Sequence, residues 1–145
     1  MTLPSVGDLE PISFDLFHDE RGTLVPIELT VAVPFPVARL FWICDVPPGT
    51  SRGGHAHRNC HQFMVCTLGM VRIEAFDGME ERNIALAAGQ GLHVPPAIFT
   101  TEWYDAADAV LLVLCDRAYD REDYVADRDA LAAHRQQAAA GAWES

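Results

Sequence analysis

The stretch GTSRGGHAHRNCHQ (residues 49–62), which runs on through an apolar segment to Gly69, is the most informative part of this chain. In an extended strand, side chains two positions apart point to the same face, so His55 and His57 are predicted to project together. Continued alternation would turn Gln62 into the same cavity. Two adjacent imidazoles are costly to bury unless they bond a partner or do chemistry. The pattern therefore predicts an internal site, with exposed strand histidines as the alternative.

Short β-type runs separated by turn residues dominate the chain up to about residue 125. Their spacing of about 8–12 residues is typical of an antiparallel sandwich or barrel. PPGTSRGG (47–54) is predicted as loop or turn, Gly69 as a hairpin or tight bend, and the Ala-rich segment 127–143 as a terminal helix. The predicted strands are ISFDLF (12–17), TLVPIELT (23–30), VARLFWICDV (37–46), HQFMVCTL (61–68), MVRIEAF (70–76), RNIALA (82–87), LHVPP (92–96), IFTTEWY (98–104) and AVLLVLCD (109–116).

A single domain spanning residues 1–145 is predicted, because 145 residues are the usual size of one hydrophobic core. No apolar run approaches the roughly 18–20 residues of a membrane-spanning helix. The N-terminal residues lack a basic start and an apolar core, so no secretory signal is expected. The four cysteines lack zinc-finger spacing and are expected to be free thiols. These features predict a cytoplasmic protein.

The charge of the chain is −11, and all ten of its basic residues are arginine. An acidic protein is a poor partner for nucleic acid or an anionic membrane. The lack of lysine excludes Schiff-base, pyridoxal and P-loop chemistry. Residues 31–75 differ from the rest, because their four arginines face only two carboxylates, Asp45 and Glu74. This window is suited to receive an anionic small molecule.

The histidine stretch resembles the first cupin motif, G-x5-HxH-x3,4-E-x6-G, over residues 49–69, with Gln62 in place of the glutamate. The second cupin motif looks like GQGLHVPPAIFT (89–100), in which Thr100 stands where the family has its third histidine. The resemblance implies an all-β cupin jelly-roll barrel of antiparallel strands, followed here by a short C-terminal helix.

A cupin holds its metal with three histidines and one carboxylate, and this chain retains two histidines of that set. Glutamine and threonine are poor neutral ligands for a divalent transition metal. We therefore expect no bound metal and no other cofactor. His93 is a candidate replacement ligand, but the sequence does not determine which way its side chain points.

Within the cupins, the chain is similar to the nucleotide-sugar 3,4-ketoisomerases, which include the dTDP-4-keto-6-deoxyglucose 3,4-ketoisomerases or WxcM-like cupins. The similarity covers residues 12–130 and is most specific in RGGHAH (52–57) and AYDREDY (118–124). It implies a metal-independent enzyme and a homodimer that shares an N-terminal strand. The implied reaction moves a ketone from C4 to C3 of a deoxyhexose attached to a nucleoside diphosphate, by way of an enediol.

His55 and His57 are the predicted catalytic residues, because imidazole gives and takes protons close to neutral pH. One histidine would handle the carbon-bound protons and the other the protons of the two sugar oxygens. The diphosphate favours the forked guanidinium of arginine over other cations. The predicted substrate-binding residues are Arg21, Arg52, Arg39 and Gln62.

One departure from the family concerns the strand before the histidines, where relatives often have tyrosines and this chain has Phe41 and Trp42. One of those tyrosines looks like a proton relay in relatives, and phenylalanine cannot exchange a proton. Two alternatives therefore stay open, a nucleotide-sugar epimerase of the same barrel and a non-catalytic module that binds a sugar nucleotide. A metal-dependent dioxygenase-type cupin is disfavoured because too few ligands are retained.

Overall fold

The computed structural model describes residues 2–144, which form twelve strands and two α-helices. The helices are α1 (Leu29–Ala32) and α2 (Arg128–Glu144), and single 3₁₀ turns lie at Val6–Asp8 and Arg121–Asp123. The strands are β1 (Ile12–Ser13), β2 (Phe17–Asp19), β3 (Gly22–Leu24), β4 (Arg39–Ile43), β5 (Thr50–His57), β6 (Gln62–Leu68), β7 (Met70–Phe76), β8 (Glu81–Ala87), β9 (Gln90–Val94), β10 (Phe99–Tyr104), β11 (Val110–Cys115) and β12 (Tyr124–Val125).

Two five-stranded antiparallel sheets form the body of the protein. The first has the strand order β1-β9-β6-β11-β4, the second has the order β12-β5-β10-β7-β8, and β2 and β3 form a separate hairpin. This arrangement confirms the predicted all-β fold of antiparallel strands with a C-terminal helix. No helix in the described part of the chain is long and apolar enough to cross a membrane.

The core lies between the two sheets and follows the alternation of the strands. In β7, Val71, Ile73 and Ala75 are fully buried, whereas the intervening Arg72 and Glu74 face outward. A strand of this kind places every second side chain on the core face. Burying a Val or Ile side chain in this way stabilises the fold by about 1.5–3 kcal/mol each.

Strands β6 and β11 of the first sheet are buried on both faces, which explains their nearly continuous apolar runs. Phe63 and Val65 of β6 turn away from the core and pack against the N-terminal segment, where Phe14 and Phe35 cover them. Sheets covered on both faces read as unbroken apolar runs instead of alternating ones. The N-terminal segment therefore acts as an outer layer of the sheet.

The bend at Gly69 passes the chain from one sheet to the other. It joins β6 of the first sheet to β7 of the second, so it is the predicted tight bend and not a hairpin between paired strands. Gly69 has a φ of 71°, and a Cβ atom there would lie 3.0 Å from the Cα of Ala109. A side chain at this position would meet backbone that cannot move away.

The predicted loop over residues 47–54 is wrong from Thr50 onward, because β5 begins there. Gly53 and Gly54 have φ values of 81° and 74° inside this strand, and the β5–β10 register shifts at the same place. The two glycines form a β-bulge that the strand absorbs without ending. The two glycines that predict a turn instead form a bulge within a strand.

The two predicted N-terminal strands are also mostly wrong. Of residues 12–17, only Ile12–Ser13 and Phe17 belong to strands. Of residues 23–30, the strand ends at Leu24. Pro26 has no N–H to give to a ladder. Residues 29–32 then form a single helical turn, although their β-branched and apolar composition is typical of a strand.

Candidate active site

A cavity of about 360 Å³ lies between the two sheets. Its apolar wall includes Phe41 of β4 and Met64 of β6. The polar side chains that line it are Arg39, Arg52, His55, Gln62, Glu102 and Tyr124. Four of the residues predicted from the sequence, two arginines with one histidine and the glutamine, are thus brought to one place.

The bulge at Gly53 and Gly54 places Arg52 on the same side of β5 as His55. Residues three positions apart in a regular strand point to opposite faces. Here Thr101 pairs with Gly53 and Thr100 pairs with His55, so β5 contains one extra residue between them. Because of this extra residue, the side chains of Arg52 and His55 point to the same face of β5, and both line the cavity.

His55, His57 and Tyr124 form a compact cluster of rings at one side of the cavity. The ring centroids of the two histidines are 5.1 Å apart in an edge-to-face arrangement, and each ring lies within 4.7 Å of the Tyr124 ring. His55 lines the cavity, while His57 is only 7% exposed. The structure thus confirms the shared facing of the pair and rules out exposed strand histidines.

Asp123 fixes the orientation of His57. The Nδ1 atom of His57 lies 3.0 Å from Oδ2 of Asp123, whose two oxygens also accept the backbone N–H groups of Asn59 (2.7 Å) and Cys60 (3.1 Å). With Nδ1–H donating to the carboxylate, neutral His57 carries its lone pair on Nε2. That atom is buried and has no hydrogen-bond partner among the described residues.

Sequence reasoning gave Asp123 no role, although it lies in the AYDREDY segment (118–124) that carries part of the family resemblance. Burial raises the pKa of Asp123, but the N–H groups of Asn59 and Cys60 and the bond with His57 outweigh it and hold that pKa below its usual value. Asp123 is therefore an ionised acceptor at neutral pH.

Both histidines are neutral at neutral pH. Burial, together with the neighbouring His57, lowers the pKa of His55 to about 4. Burial also lowers the pKa of His57, and the bond with Asp123 opposes that shift only in part. A neutral imidazole has a nitrogen lone pair with which it can accept a proton.

Glu102 is a second polar residue that sequence reasoning missed. It is 4% exposed, and its Oε1 accepts a hydrogen bond from the Thr100 hydroxyl at 3.0 Å. Burial raises the pKa of Glu102 to about 7, although the Thr100 hydroxyl and the charge of Arg52 lower it. The only signal in the sequence was a carboxylate at an inward register of IFTTEWY (98–104).

Arg39 and Arg52 approach the cavity from opposite sheets. The guanidinium of Arg39 lies 4.9 Å from the ring centroid of Phe41 and 5.3 Å from that of Tyr119. Such stacking holds the cation in place without neutralising it. Arg52 is exposed, whereas Glu102 on the paired strand is buried. The cavity is therefore cationic toward solvent and carries its carboxyl group inside.

Arg21 does not reach the cavity of its own chain. It lies in the turn of the β2–β3 hairpin, where its side chain is 85% exposed and its guanidinium bonds Asp19 at 2.7 Å. The position of Arg21 in a single chain therefore does not support its predicted role in substrate binding.

The residues at the cupin metal positions do not fit a metal. Gln62 is buried with its Nε2 directed toward the Cys115 sulfur at 3.9 Å, and the Thr100 hydroxyl donates to Glu102. His93 does not supply the missing imidazole, because its Nε2 is 2.9 Å from Nδ1 of His61 and it does not line the cavity. Neutral amide and hydroxyl groups bind divalent transition metals weakly.

A second group of three possible ligands, His57, Cys60 and Asp123, has its donor atoms within 4.8 Å of one another. It does not form a metal site either. The histidine nitrogen and the carboxylate are already hydrogen-bonded to each other, and the same carboxylate accepts two backbone N–H groups.

Comparison with known proteins identifies the same family that the sequence of the histidine stretch resembles. The family model described as FdtA: WxcM-like, C-terminal matches residues 7–136. A TDP-4-oxo-6-deoxy-α-D-glucose-3,4-oxoisomerase from Aneurinibacillus thermoaerophilus is 35% identical over 119 residues, which are 81% of this chain and 86% of that protein.

Two solved structures show how far the likeness extends. The sugar 3,4-ketoisomerase QdtA from Thermoanaerobacterium thermosaccharolyticum, in complex with TDP, superposes with a TM-score of 0.83 at 30% identity over 91% of this chain and 97% of its own. The 3′-monoepimerase ChmJ from Streptomyces bikiniensis shares the fold alone, with a TM-score of 0.72 at 16% identity over 81% and 68% of the two chains. The predicted family is thereby confirmed: the chain belongs to the FdtA, WxcM-like family.

Proposed function

We propose that this protein is a 3,4-ketoisomerase that acts on a TDP-linked 4-keto-6-deoxyhexose. The observation that carries the proposal is the histidine pair, with His55 on the cavity wall and His57 behind it, held by Asp123. Relatives with this activity match most of the chain. A base, an acid and a cationic mouth are the parts that such a reaction needs.

The reaction begins with binding of the nucleotide sugar. Arg52 and Arg39 hold the anionic diphosphate toward the mouth, and Gln62 offers an amide to the sugar deeper in the cavity. The hexose then extends inward to the rings of His55 and His57. Arginine suits this task because its forked N–H groups match the phosphate oxygens and its charge is permanent.

The histidine pair moves the carbon-bound proton. A neutral imidazole takes the proton from C3, and the C3–H electron pair forms the C3=C4 double bond of an enediolate. The O3 proton passes to O4, and the imidazolium returns its proton at C4 to give the 3-ketone. Asp123 stabilises the positive charge that His57 would acquire. Acid–base groups placed in this way contribute about 10²–10⁴-fold to the rate.

The proposal is tested with metal-stripped protein and TDP-4-keto-6-deoxyglucose in deuterated water, with NMR to follow the ketone and any deuterium at C3 and C4. We expect conversion to the 3-keto sugar, and loss of conversion in a His55→Asn/His57→Asn variant. Exchange at C3 without ketone migration would identify an epimerase. Binding without any exchange would identify a sugar-nucleotide binding module, and either result would overturn the proposal.

The active form is proposed to be a homodimer in which the β2–β3 hairpin of each chain lies on the other. Two observations support this assembly: the hairpin exposes large apolar side chains such as Phe17 (59% exposed), and β4, which ends the first sheet, exposes Trp42 (64%). Exposed apolar residues beside an unpaired strand edge are suited to cover one another. An exchanged hairpin also offers Arg21 a route to the partner's cavity.

Light scattering tests this assembly. Wild-type protein should have the mass of two chains, and Phe17→Glu should shift the mass toward one chain and raise KM for the nucleotide sugar. A monomeric wild type would contradict the dimer while leaving the chemistry of the histidine pair intact. The cytoplasmic location expected from the sequence stays a prediction.

A further inference from the structure

Glu102 is a buried carboxyl group that the mechanism above does not use. It lies on the cavity wall with 4% of its surface exposed and receives a single side-chain hydrogen bond, from Thr100. Within residues 2–141 it forms no ion pair at 4.0 Å or less, so Arg52 is near it without being bonded to it. A buried carboxylate with so few donors is unfavourable, and the neutral acid is the form that such a site accepts.

The backbone beside Glu102 is shaped to admit this carboxyl group. A Cβ atom added at Gly53 would overlap the Oε2 atom of Glu102, and it would lie 3.1 Å from the carbonyl oxygen of Thr100. At Gly54, the other glycine of the bulge, nothing lies within 4 Å of such an atom. The close approach is therefore specific to Gly53 and to the position of the carboxyl group.

The carboxyl group and the histidine pair share one face of the β5–β10 pair. Thr100 is opposite His55 and Glu102 is opposite Arg52, so the acid and the imidazole stand one inward position apart along the sheet. Two residues of a strand span about 7 Å. A single hexose ring placed against this wall can therefore touch both groups at once.

We propose that Glu102 is a further catalytic residue, which carries a proton between the two sugar oxygens while the histidine pair carries the carbon-bound proton. This inference rests on the proposed ketoisomerase function. It assigns the two proton transfers to different side chains, and it gives the cavity a proton donor on β10, opposite the histidine strand.

The reaction starts from the 4-ketone, with a neutral imidazole and a neutral Glu102. The imidazole takes the C3 proton, the C3–H electron pair forms the C3=C4 double bond, and the C4 carbonyl oxygen takes the proton of neutral Glu102. The product of this half is the enediol with an ionised Glu102. The Glu102 carboxylate then takes the O3 proton, C3 becomes the carbonyl carbon, and the imidazolium proton goes to C4, which restores both groups.

The protonation state of Glu102 fits this role. Burial raises its pKa to about 7, so the neutral acid and the carboxylate are both accessible near neutral pH. The groups that face it are Arg52, His55, Tyr104 and the Thr100 hydroxyl. A bound diphosphate brings negative charge toward Arg52, which weakens the attraction that opposes protonation and favours the neutral acid at the start of the reaction.

The test compares Glu102→Gln with wild type and with Glu80→Gln, an exposed carboxylate outside the cavity. We expect kcat to fall about 10²-fold in Glu102→Gln at nearly unchanged KM. Its pH–rate profile should also lose the limb near pH 7, which a merely structural role would not remove. Glu80→Gln should match wild type.

Two further outcomes separate the possible failures. Wild-type activity with Glu102→Gln within threefold of Glu80→Gln overturns the role of Glu102 and leaves the proposed function standing. An inactive wild type overturns the proposed function and this inference with it. If Glu102→Gln does not fold, Glu102→Asp provides the same comparison, since a shortened acid should retain the pH limb while lowering kcat.

Discussion

The Nδ1 atom of His57 and the Oδ2 atom of Asp123 lie 3.0 Å apart although 66 positions separate them in the chain. The contact connects the last residue of β5 to the short 3₁₀ turn that follows the last long strand. It leaves Nε2 of His57 as the free nitrogen. The tautomer of His57 is therefore set from outside the HxH stretch itself.

Replacement of Asp123 should separate orientation from simple packing. In Asp123→Asn the amide no longer anchors Nδ1–H as an anion does, and two backbone N–H groups lose a charged acceptor. We expect kcat to fall about 10²-fold or more and the free energy of unfolding to fall by about 1–3 kcal/mol. Steady-state kinetics and urea unfolding measure the two effects. Asp129→Asn, an exposed change on α2, is the control, and equal kinetics in both variants would contradict the role of Asp123.

The two glycines of the bulge should respond differently to the same added methyl group. Both have positive φ, so Gly54→Ala should cost about 1 kcal/mol of stability through backbone strain alone. Gly53→Ala should cost about 1–3 kcal/mol more, because its Cβ overlaps the Glu102 carboxyl group. Urea unfolding compares the pair. Equal costs would show that Glu102 does not pack against Gly53.

The contribution of His55 to stability should decline as the pH falls from about 6.5 to about 4. His55 has a folded-state pKa of about 4, below its ordinary value of 6.5, so the unfolded chain binds a proton first over this interval. Its contribution is fully present above pH 6.5 and is lost as the pH falls toward 4. Thermal unfolding at several pH values should show a smaller slope for His55→Asn. A slope equal to that of wild type would contradict the lowered pKa.

Glu102 should act in the opposite direction over nearly the same pH range, so each contribution is measured by comparing its own variant with wild type. Its folded-state pKa of about 7 exceeds the ordinary 4.5, so the unfolded chain loses its proton first as the pH rises. Ionisation thus costs stability progressively between about pH 4.5 and 7, on the order of 3 kcal/mol in total. Glu102→Gln should remove this loss and unfold at a temperature equal to or above that of wild type at pH 8. A lower unfolding temperature at pH 8 alone would identify an ionised, stabilising Glu102.

Restoring the cupin ligands should create a metal site that the natural residues do not form. Gln62→Glu with Thr100→His returns a carboxylate and a third imidazole beside His55 and His57. We expect about one equivalent of zinc or iron in this variant by elemental analysis and much less than one in wild type. Stoichiometric metal in the purified wild type would refute the metal-free expectation.

The sequence was informative where the structure depends on local alternation. The facing of His55 and His57 follows from strand geometry, and Gln62 reaches the same cavity as expected. The family resemblance correctly identified the fold and the protein family. These features need only residue types at fixed short spacings.

The features that the sequence did not reveal depend on contacts between distant segments. The inward position of Arg52 results from a bulge that glycine-rich sequence disguised as a loop. The roles of Asp123 and Glu102 depend on which strands pair and in which register, and a single sequence does not contain that information. Arg21 illustrates the same point, since its distance from the cavity depends on where the β2–β3 hairpin lies in the fold.

The origin of Asp123 near the end of the fold has a consequence for how the protein is made. A ribosome releases His55 and His57 well before the segment at 120–125 emerges. In that interval the barrel strands can pair, but the Asp123 acceptor for Nδ1 of His57 is missing. Either tautomer of His57 is then accessible. A segment synthesised 66 residues after His57 therefore decides which nitrogen of His57 carries the proton. A nascent chain halted just before Asp123 should contain most of the barrel without the acid–base arrangement of the finished enzyme.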